Sequence, residues 1–358
     1  MAVAQAPSHF LPGLPLRNGI SMTLYTALWA SRHWRSFVAA PEPPYAGTQF
    51  TGADGVPIWG LVAQPPGGGR GTVIGTYGIT GDLDNQWFLR LMGRKAFAAG
   101  YSVVIFDWRA HGKTAALSPT LTSDGLYEGP DFVHIAAQAR DMGCAAPVWF
   151  TGFSLGGQLA LWGIKAAQTP NLKQCYGIDA ADIAGAAVIC PSLESDRSLR
   201  YLEQALLGHQ LEQAIARTLK QLAERLHQLH PKHIAPEAIA KANTIRQFDQ
   251  HLVIPRLGFK TTTDYYRATS PLYFLPELVK PTFILYAQDD PLFDPSLVPE
   301  LQAIAQRNSV IDLQLTAYGG HVGYYLDQRQ EQQRWGDPDP WWAWNRVLEW
   351  ISNPVRDI

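Results

Sequence analysis

A serine set among glycines, Gly152-Phe153-Ser154-Leu155-Gly156-Gly157, directly follows the apolar run Val148 to Thr151 and directly precedes a helical pattern. In a strand-turn-helix setting, a G-x-S-x-G sequence makes a sharp turn that lifts the serine oxygen above the strand, and the next helix directs its first N–H groups at the site. The chemistry this suits is nucleophilic attack on a carbonyl carbon. A serine hydroxyl is a weak nucleophile near neutral pH, so it needs a base within hydrogen-bond reach and an acid to orient that base. The pattern alone is a weak signal and its context strengthens it; the alternative is a tight glycine turn with an idle serine.

Where such a turn carries a nucleophile, the chain order is serine, acid, histidine. Of ten histidines only His321 lies after the last candidate acid, in the loop Tyr318-Gly319-Gly320-His321-Val322-Gly323 beyond an apolar run that ends near Leu315. The acid is expected at the carboxyl end of Thr282 to Tyr286, where the chain reads Ala287-Gln288-Asp289-Asp290-Pro291-Leu292-Phe293-Asp294. A spacing of three from the small strand-ending residue selects Asp290. Asp289 is the second candidate and Asp294 the third, and those not used act as turn formers or helix caps. The oxygen that becomes negative during attack needs donors. The backbone N–H of Leu155 is one candidate, and that of Ile79, in the loop Tyr77-Gly78-Ile79-Thr80-Gly81, is the other.

These residues need a scaffold, and the pattern around them supplies one. Thr48 to Thr51 and Pro57 to Ala63 flank the turn dipeptide Asp54-Gly55, which reads as a hairpin. Short apolar runs then alternate with helical patterns: Thr72 to Thr76, Gln86 to Ala98, Ser102 to Phe106, Phe132 to Met142, Val148 to Thr151, Leu155 to Gln168, Ala184 to Ile189. The alternation resumes with Thr282 to Tyr286, Ser296 to Gln306, Val310 to Leu315 and a Trp-rich helix near Trp341 to Trp350. It predicts an α/β fold with a mostly parallel central sheet and helices on both faces. From Pro191 to about Ser270 the pattern is helical. Leu211, Ile215, Leu219, Leu222, Leu226 and Leu229 recur at spacings of three and four, with Glu212, Arg217, Lys220, Glu224 and Arg225 on the other sides. The expected division is an N-terminal segment 1–46, a core of 47–190 and 271–358, and a helical cap insertion 191–270.

Composition narrows the functional classes. Of 358 residues 46% are hydrophobic and 17% charged, which excludes a disordered chain. The formal charge of -2 with no basic run argues against nucleic-acid partners. Met142 to Ile164 is 23 residues without a charge, but its proline and glycines fit a buried strand and helix better than a membrane span. Cys144, Cys175 and Cys190 are odd in number and form no C-x-x-C pair, so they read as buried, reduced thiols of a cytoplasmic protein. The opening has no Lys or Arg before Arg17 and is broken by prolines, unlike a secretory signal. His227, His230 and His233 lack a completing carboxylate and read as an exposed helix end, so no metal is expected. Arg109-Ala110-His111-Gly112 is expected to order its loop.

The motifs together resemble the YheT-like (embryogenesis-associated, ABHD-type) family of α/β-hydrolase fold serine hydrolases. Phe10-Leu11-Pro12, Leu16-Arg17-Asn18-Gly19 and Thr23-Leu24 look like its N-terminal signature. Gly152 to Gly157 resembles its nucleophile elbow, Phe248-Asp249 and Asp264-Tyr265-Tyr266 its cap-region pattern, and Ala287 to Pro291 with Gly319 to Gly323 its acid and histidine motifs. The resemblance implies Ser154 as nucleophile, His321 as base, one of Asp289 and Asp290 as acid, and activity on acyl esters in lipid metabolism. Two positions depart from the family: its usual His-Gly in the oxyanion loop is Tyr77-Gly78, and its N-G-H is Asn18-Gly19-Ile20. The expectation is a serine esterase or lipase-like enzyme that cleaves apolar acyl esters of small molecules or lipids through an acyl-enzyme, with no cofactor. Acyl transfer or thioester cleavage by the same residues, or a non-catalytic ligand-binding role, are the alternatives. Peripheral membrane contact and oligomeric state stay open.

Overall fold

The computed structural model describes residues 10–353 apart from Ala205. Eight strands form one sheet in the order β1-β2-β4-β3-β5-β6-β7-β8. They are β1 (Ala46–Thr51), β2 (Pro57–Ala63), β3 (Thr72–Thr76), β4 (Ser102–Phe106), β5 (Val148–Phe153), β6 (Ile183–Ile189), β7 (Thr282–Ala287) and β8 (Ile311–Thr316). β1 pairs antiparallel with β2, and β2 with β4; every later pair is parallel. The β1–β2 turn closes through left-handed residues, Asp54 at φ 56° and Gly55 at φ 73°.

Every residue of β3, β4, β5 and β7 is buried. That is why these strands read as continuous apolar runs without alternation: helices cover both faces of a parallel sheet. Trp87–Ala98 and Trp342–Ser352 meet through Phe88 and Trp344, while Glu128–Asp141 packs on Leu155–Ala166, where Gly163 lies against Phe132. The uncharged stretch from Met142 thus divides into β5 and the helix Leu155–Ala166. No helix of the described residues is long and apolar enough to cross a membrane.

Between β6 and β7 the chain forms a run of helices, including Ser195–Gln204, Leu206–Leu229, Ile245–Phe248 and Thr262–Thr269, around a second apolar cluster. The seam of Leu206–Leu229 differs from the expected leucine row. Ala216, Leu219, Ala223 and Leu226 are buried, Leu229 is exposed, and Glu212, assigned to the polar side, is 2% exposed. The reason is a hydrogen bond: the Glu212 carboxylate accepts the Ile245 N–H at 2.7 Å and so satisfies a donor in the first turn of Ile245–Phe248. The same helix docks on the core where Arg225 donates to the Gly112 carbonyl and His230 to that of Ala115. His227 bonds the Ile234 carbonyl, so two of the three histidines are engaged with backbone and not free at a helix end.

Cys144 and Cys190 are buried free thiols, but Cys175 is exposed. Its helix, Leu172–Tyr176, is one short surface turn that buries Leu172 and leaves Cys175 outward.

Candidate active site

β5 ends in Phe153, and the chain turns at Ser154 with φ 55° and ψ -129°, a conformation L-residues rarely adopt. The turn is held because Ser154 N–H donates to the Ile189 carbonyl and the Ser154 carbonyl accepts from Gly157, Gln158 and Ser192. A side chain at Gly156 would place its Cβ 2.4 Å from the Tyr77 carbonyl oxygen, so glycine there lets the β3 loop close on the turn.

The loops after β7 and β8 bring two further groups to this oxygen. His321 Nε2 lies 2.9 Å from Ser154 Oγ, and His321 Nδ1 lies 2.9 Å from Asp290 Oδ2. The Asp290 side chain is 2% exposed and that of His321 13%. Asp290 Oδ1 accepts the Leu292 N–H, and the Phe293 ring meets the imidazole edge-on at 5.2 Å. The other aspartates are placed elsewhere. Asp289 Oδ1 accepts the Gly320 N–H at 2.9 Å, and Asp294 Oδ1 accepts that of Ser296. Burial, with the Asp290 charge adding to it, pushes the Asp289 carboxyl up to about 6, and its Oδ2 is buried with no partner among the described residues.

Ile79 and Leu155 line the same cavity as Ser154, and among the described residues neither backbone N–H has an acceptor. The Ile79 loop is braced by Tyr77, a buried side chain whose hydroxyl donates to Asp107 Oδ1 at 2.6 Å. Asp107 also accepts the N–H groups of Leu83 and Lys113, joining the loops after β3 and β4. Burial, and then the nearby Asp107 charge, hold the Tyr77 phenol well above its ordinary range, so it stays a donor. Arg109 forms a buried ion pair with Asp131, at 2.7 and 2.9 Å, and donates to the Ala53 carbonyl. Beside it His111 stacks on Trp108 and bonds the Arg109 carbonyl; burial depresses it to about 4 and keeps it neutral.

The sequence reading missed Thr23. Its hydroxyl accepts the His321 N–H at 2.8 Å and donates to the Gly19 carbonyl at 2.6 Å. A Cβ at Gly19 would lie 1.7 Å from the Asp289 carbonyl oxygen, so glycine lets the N-terminal helix touch the acid loop. Asn18 caps that helix by accepting from Ile20 and Ser21. The signal was the N-terminal signature, which carried no chemistry of its own.

The cavity above Ser154 opens to solvent and, with its mouth included, spans about 900 Å³. Leu199, Ile215, Leu219 and Leu222 from the helices between β6 and β7 line it, with Leu292 and Phe293 from the acid loop. One corner is polar. Asp249 accepts the Tyr266 hydroxyl at 2.5 Å, and burial raises both its carboxyl and that of Asp124, the latter to about 6.

A serine, histidine and carboxylate in hydrogen-bonded sequence above a parallel sheet define a class that comparison with known proteins makes specific. The family model for the alpha/beta hydrolase fold matches residues 71–328, and the chain belongs to that family. Over 97% of its length it is 49% identical to "Putative esterase slr0264" of Synechocystis sp., covering 95% of that protein. It is also 28% identical to "Putative esterase YheT" of Escherichia coli over 58% of this chain and 55% of that one. Against "Phospholipase ABHD3" of Mus musculus the identity is 27%, over 71% and 58%. Among solved structures, the Pyrobaculum calidifontis esterase shares the fold with a TM-score of 0.56 at 16% identity, covering 94% of this chain and 98% of that one. The Pyrococcus furiosus esterase Pf2001 does so at 0.54 and 17%, covering 90% and 92%. The chain is a carboxylic ester hydrolase of the YheT/ABHD type.

Proposed function

We propose that Ser154, His321 and Asp290 act as a catalytic triad that cleaves esters of apolar acyl groups through an acyl-enzyme. His321 Nε2 takes the Ser154 proton as Oγ attacks the ester carbonyl carbon, and the carbonyl oxygen becomes an oxyanion held by the N–H groups of Ile79 and Leu155. Collapse breaks the bond to the alkoxy oxygen, and the imidazolium returns the proton to the departing alcohol. Water, deprotonated by the same nitrogen, then attacks the acyl carbon; collapse breaks the bond to Ser154 Oγ, the imidazolium returns the proton to that oxygen, and the carboxylic acid leaves. Asp290 accepts from Nδ1–H, holds the tautomer and stabilises the imidazolium. The steps use side chains, two backbone N–H groups and water.

The observation that carries this reading is the chain of two 2.9 Å hydrogen bonds, Ser154 to His321 to Asp290. The apolar cavity supports a hydrocarbon acyl chain, in line with relatives named phospholipase and monoacylglycerol lipase. Residues 191–270 serve in this reading as a cap over the core of 47–190 and 271–358, with the N-terminal helix bracing the histidine loop through Thr23. Free Cys144, Cys175 and Cys190 favour the reducing cytoplasm.

Fluorophosphonate labelling tests it. The wild type should incorporate the probe at Ser154 and hydrolyse a series of esters of graded acyl length. A labelled site elsewhere, or turnover retained by Ser154→Ala, would reject it.

A further inference from the structure

The helical segment from Gly19 to Phe37 has two faces with different surroundings. Gly19, Met22, Thr26, Ala30 and Trp34 are buried against the core, on the side where Thr23 meets His321. On the outer side Ile20, Leu24 and Leu28, one turn apart, are 37%, 41% and 59% exposed, and Trp29 is 40% exposed. Leu14, in the turn just before, is 77% exposed. Leaving several large apolar side chains in water on one element is unusual unless something covers them.

Charge identifies the cover. The first 41 residues contain Arg17, Arg32 and Arg35 and no Asp or Glu, although the whole chain has a formal charge of -2. Arg32 and Arg35 are exposed just beyond the apolar stripe. Among the described residues, two acids touch this region from elsewhere in the chain: Asp327 is engaged by the Gly13 N–H, and Asp289 lies on the inner side against Gly19; His33 bonds the Trp29 carbonyl. An apolar stripe with a tryptophan and flanking arginines is the composition of a helix that lies in the interface of a bilayer. A second copy of this surface would bring like charges together, which disfavours self-association.

We propose that the outer face of Gly19–Phe37 seats the protein on an anionic lipid bilayer, with the leucines in the acyl boundary and the arginines at the headgroups. The same helix bonds the histidine loop through Thr23, so the bound bilayer lies beside the site and not on the far side of the molecule.

The binding does not depend on the triad, so it is measured with Ser154→Ala protein by flotation with vesicles. Vesicles of equal parts phosphatidylglycerol and phosphatidylcholine should carry the protein, pure phosphatidylcholine much less, and added salt should weaken the binding. Leu24→Glu with Leu28→Glu should weaken it at least about tenfold, since both apolar anchors are lost. Arg32→Glu with Arg35→Glu should remove the preference for the anionic vesicles. In the Ser154 background, both double variants should keep wild-type thermal midpoints and wild-type turnover of a water-soluble short-chain ester. Absence of binding to the anionic vesicles, or equal binding by Leu24→Glu/Leu28→Glu, would overturn the proposal. So would light scattering that shows a dimer dissolved by those leucine substitutions without vesicle binding, which would assign the face to a second copy.

Discussion

The backbone N–H of His321 donates to the Thr23 hydroxyl at 2.8 Å across 298 positions of sequence. The imidazole is therefore held from two sides, by Asp290 at Nδ1 and through its own main chain by the N-terminal helix. The Thr23 hydroxyl bonds main chain on both sides, the His321 N–H and the Gly19 carbonyl, so in the proposed mechanism it positions the loop. Thr23→Val should lower kcat about tenfold to a hundredfold with little change in KM, as misplacing a catalytic group does. Thr23→Ser keeps the hydroxyl and should restore turnover, whereas failure of the serine variant to do so would assign the loss to packing of the threonine methyl.

The two adjacent aspartates should separate by function. Asp290→Asn leaves His321 without its carboxylate and should reduce turnover by about 10⁴, the size seen for the orienting acid in serine proteases. Asp289→Asn should reduce it far less, because Asp289 Oδ1 faces the Gly320 N–H and an amide oxygen can accept that bond. Steady-state rates of the two variants decide; equal losses would give both carboxyls a part in the chemistry.

Asp289 should also set a pH dependence of stability. Its carboxyl is raised from 3.8 to about 6, so the folded protein holds this proton more tightly than the unfolded chain does. Its contribution to stability is thus fully present below 3.8 and is lost as pH rises through about 6. Asp289→Asn has no such loss. Scanning calorimetry should find the variant's advantage in melting temperature growing between those two values and constant at higher pH. An advantage that shrinks as pH rises would contradict the assigned burial.

Ile215 and Leu222 are partly buried and line the cavity from above. Ile215→Asn or Leu222→Asn should impair long-chain esters more than acetyl esters, since each methylene placed in an apolar pocket contributes about 0.8 kcal/mol. The discriminating measurement is kcat/KM against acyl length. A uniform loss would indicate general destabilisation and remove the helix from the pocket roof.

What the sequence determined by itself was local. The strand, turn and helix around Ser154 lie within the 19 residues from Val148 to Ala166, and period and glycine placement report them directly. Buried parallel strands announce themselves as apolar runs, so the α/β alternation was legible too. His321 could be singled out only because chain order left no other histidine, and Asp289, Asp290 and Asp294 stayed open as acids because neighbours in a turn differ only in where each side chain points. Tertiary structure decided that direction, putting Asp290 Oδ2 on the imidazole and Asp289 Oδ1 on Gly320. It also buried Glu212, exposed Cys175 and brought Thr23 to the histidine loop. Periodicity reports how apolar a face is, but these placements depend on a hydrogen-bond partner or a packing surface from a distant segment, which no spacing along the chain encodes.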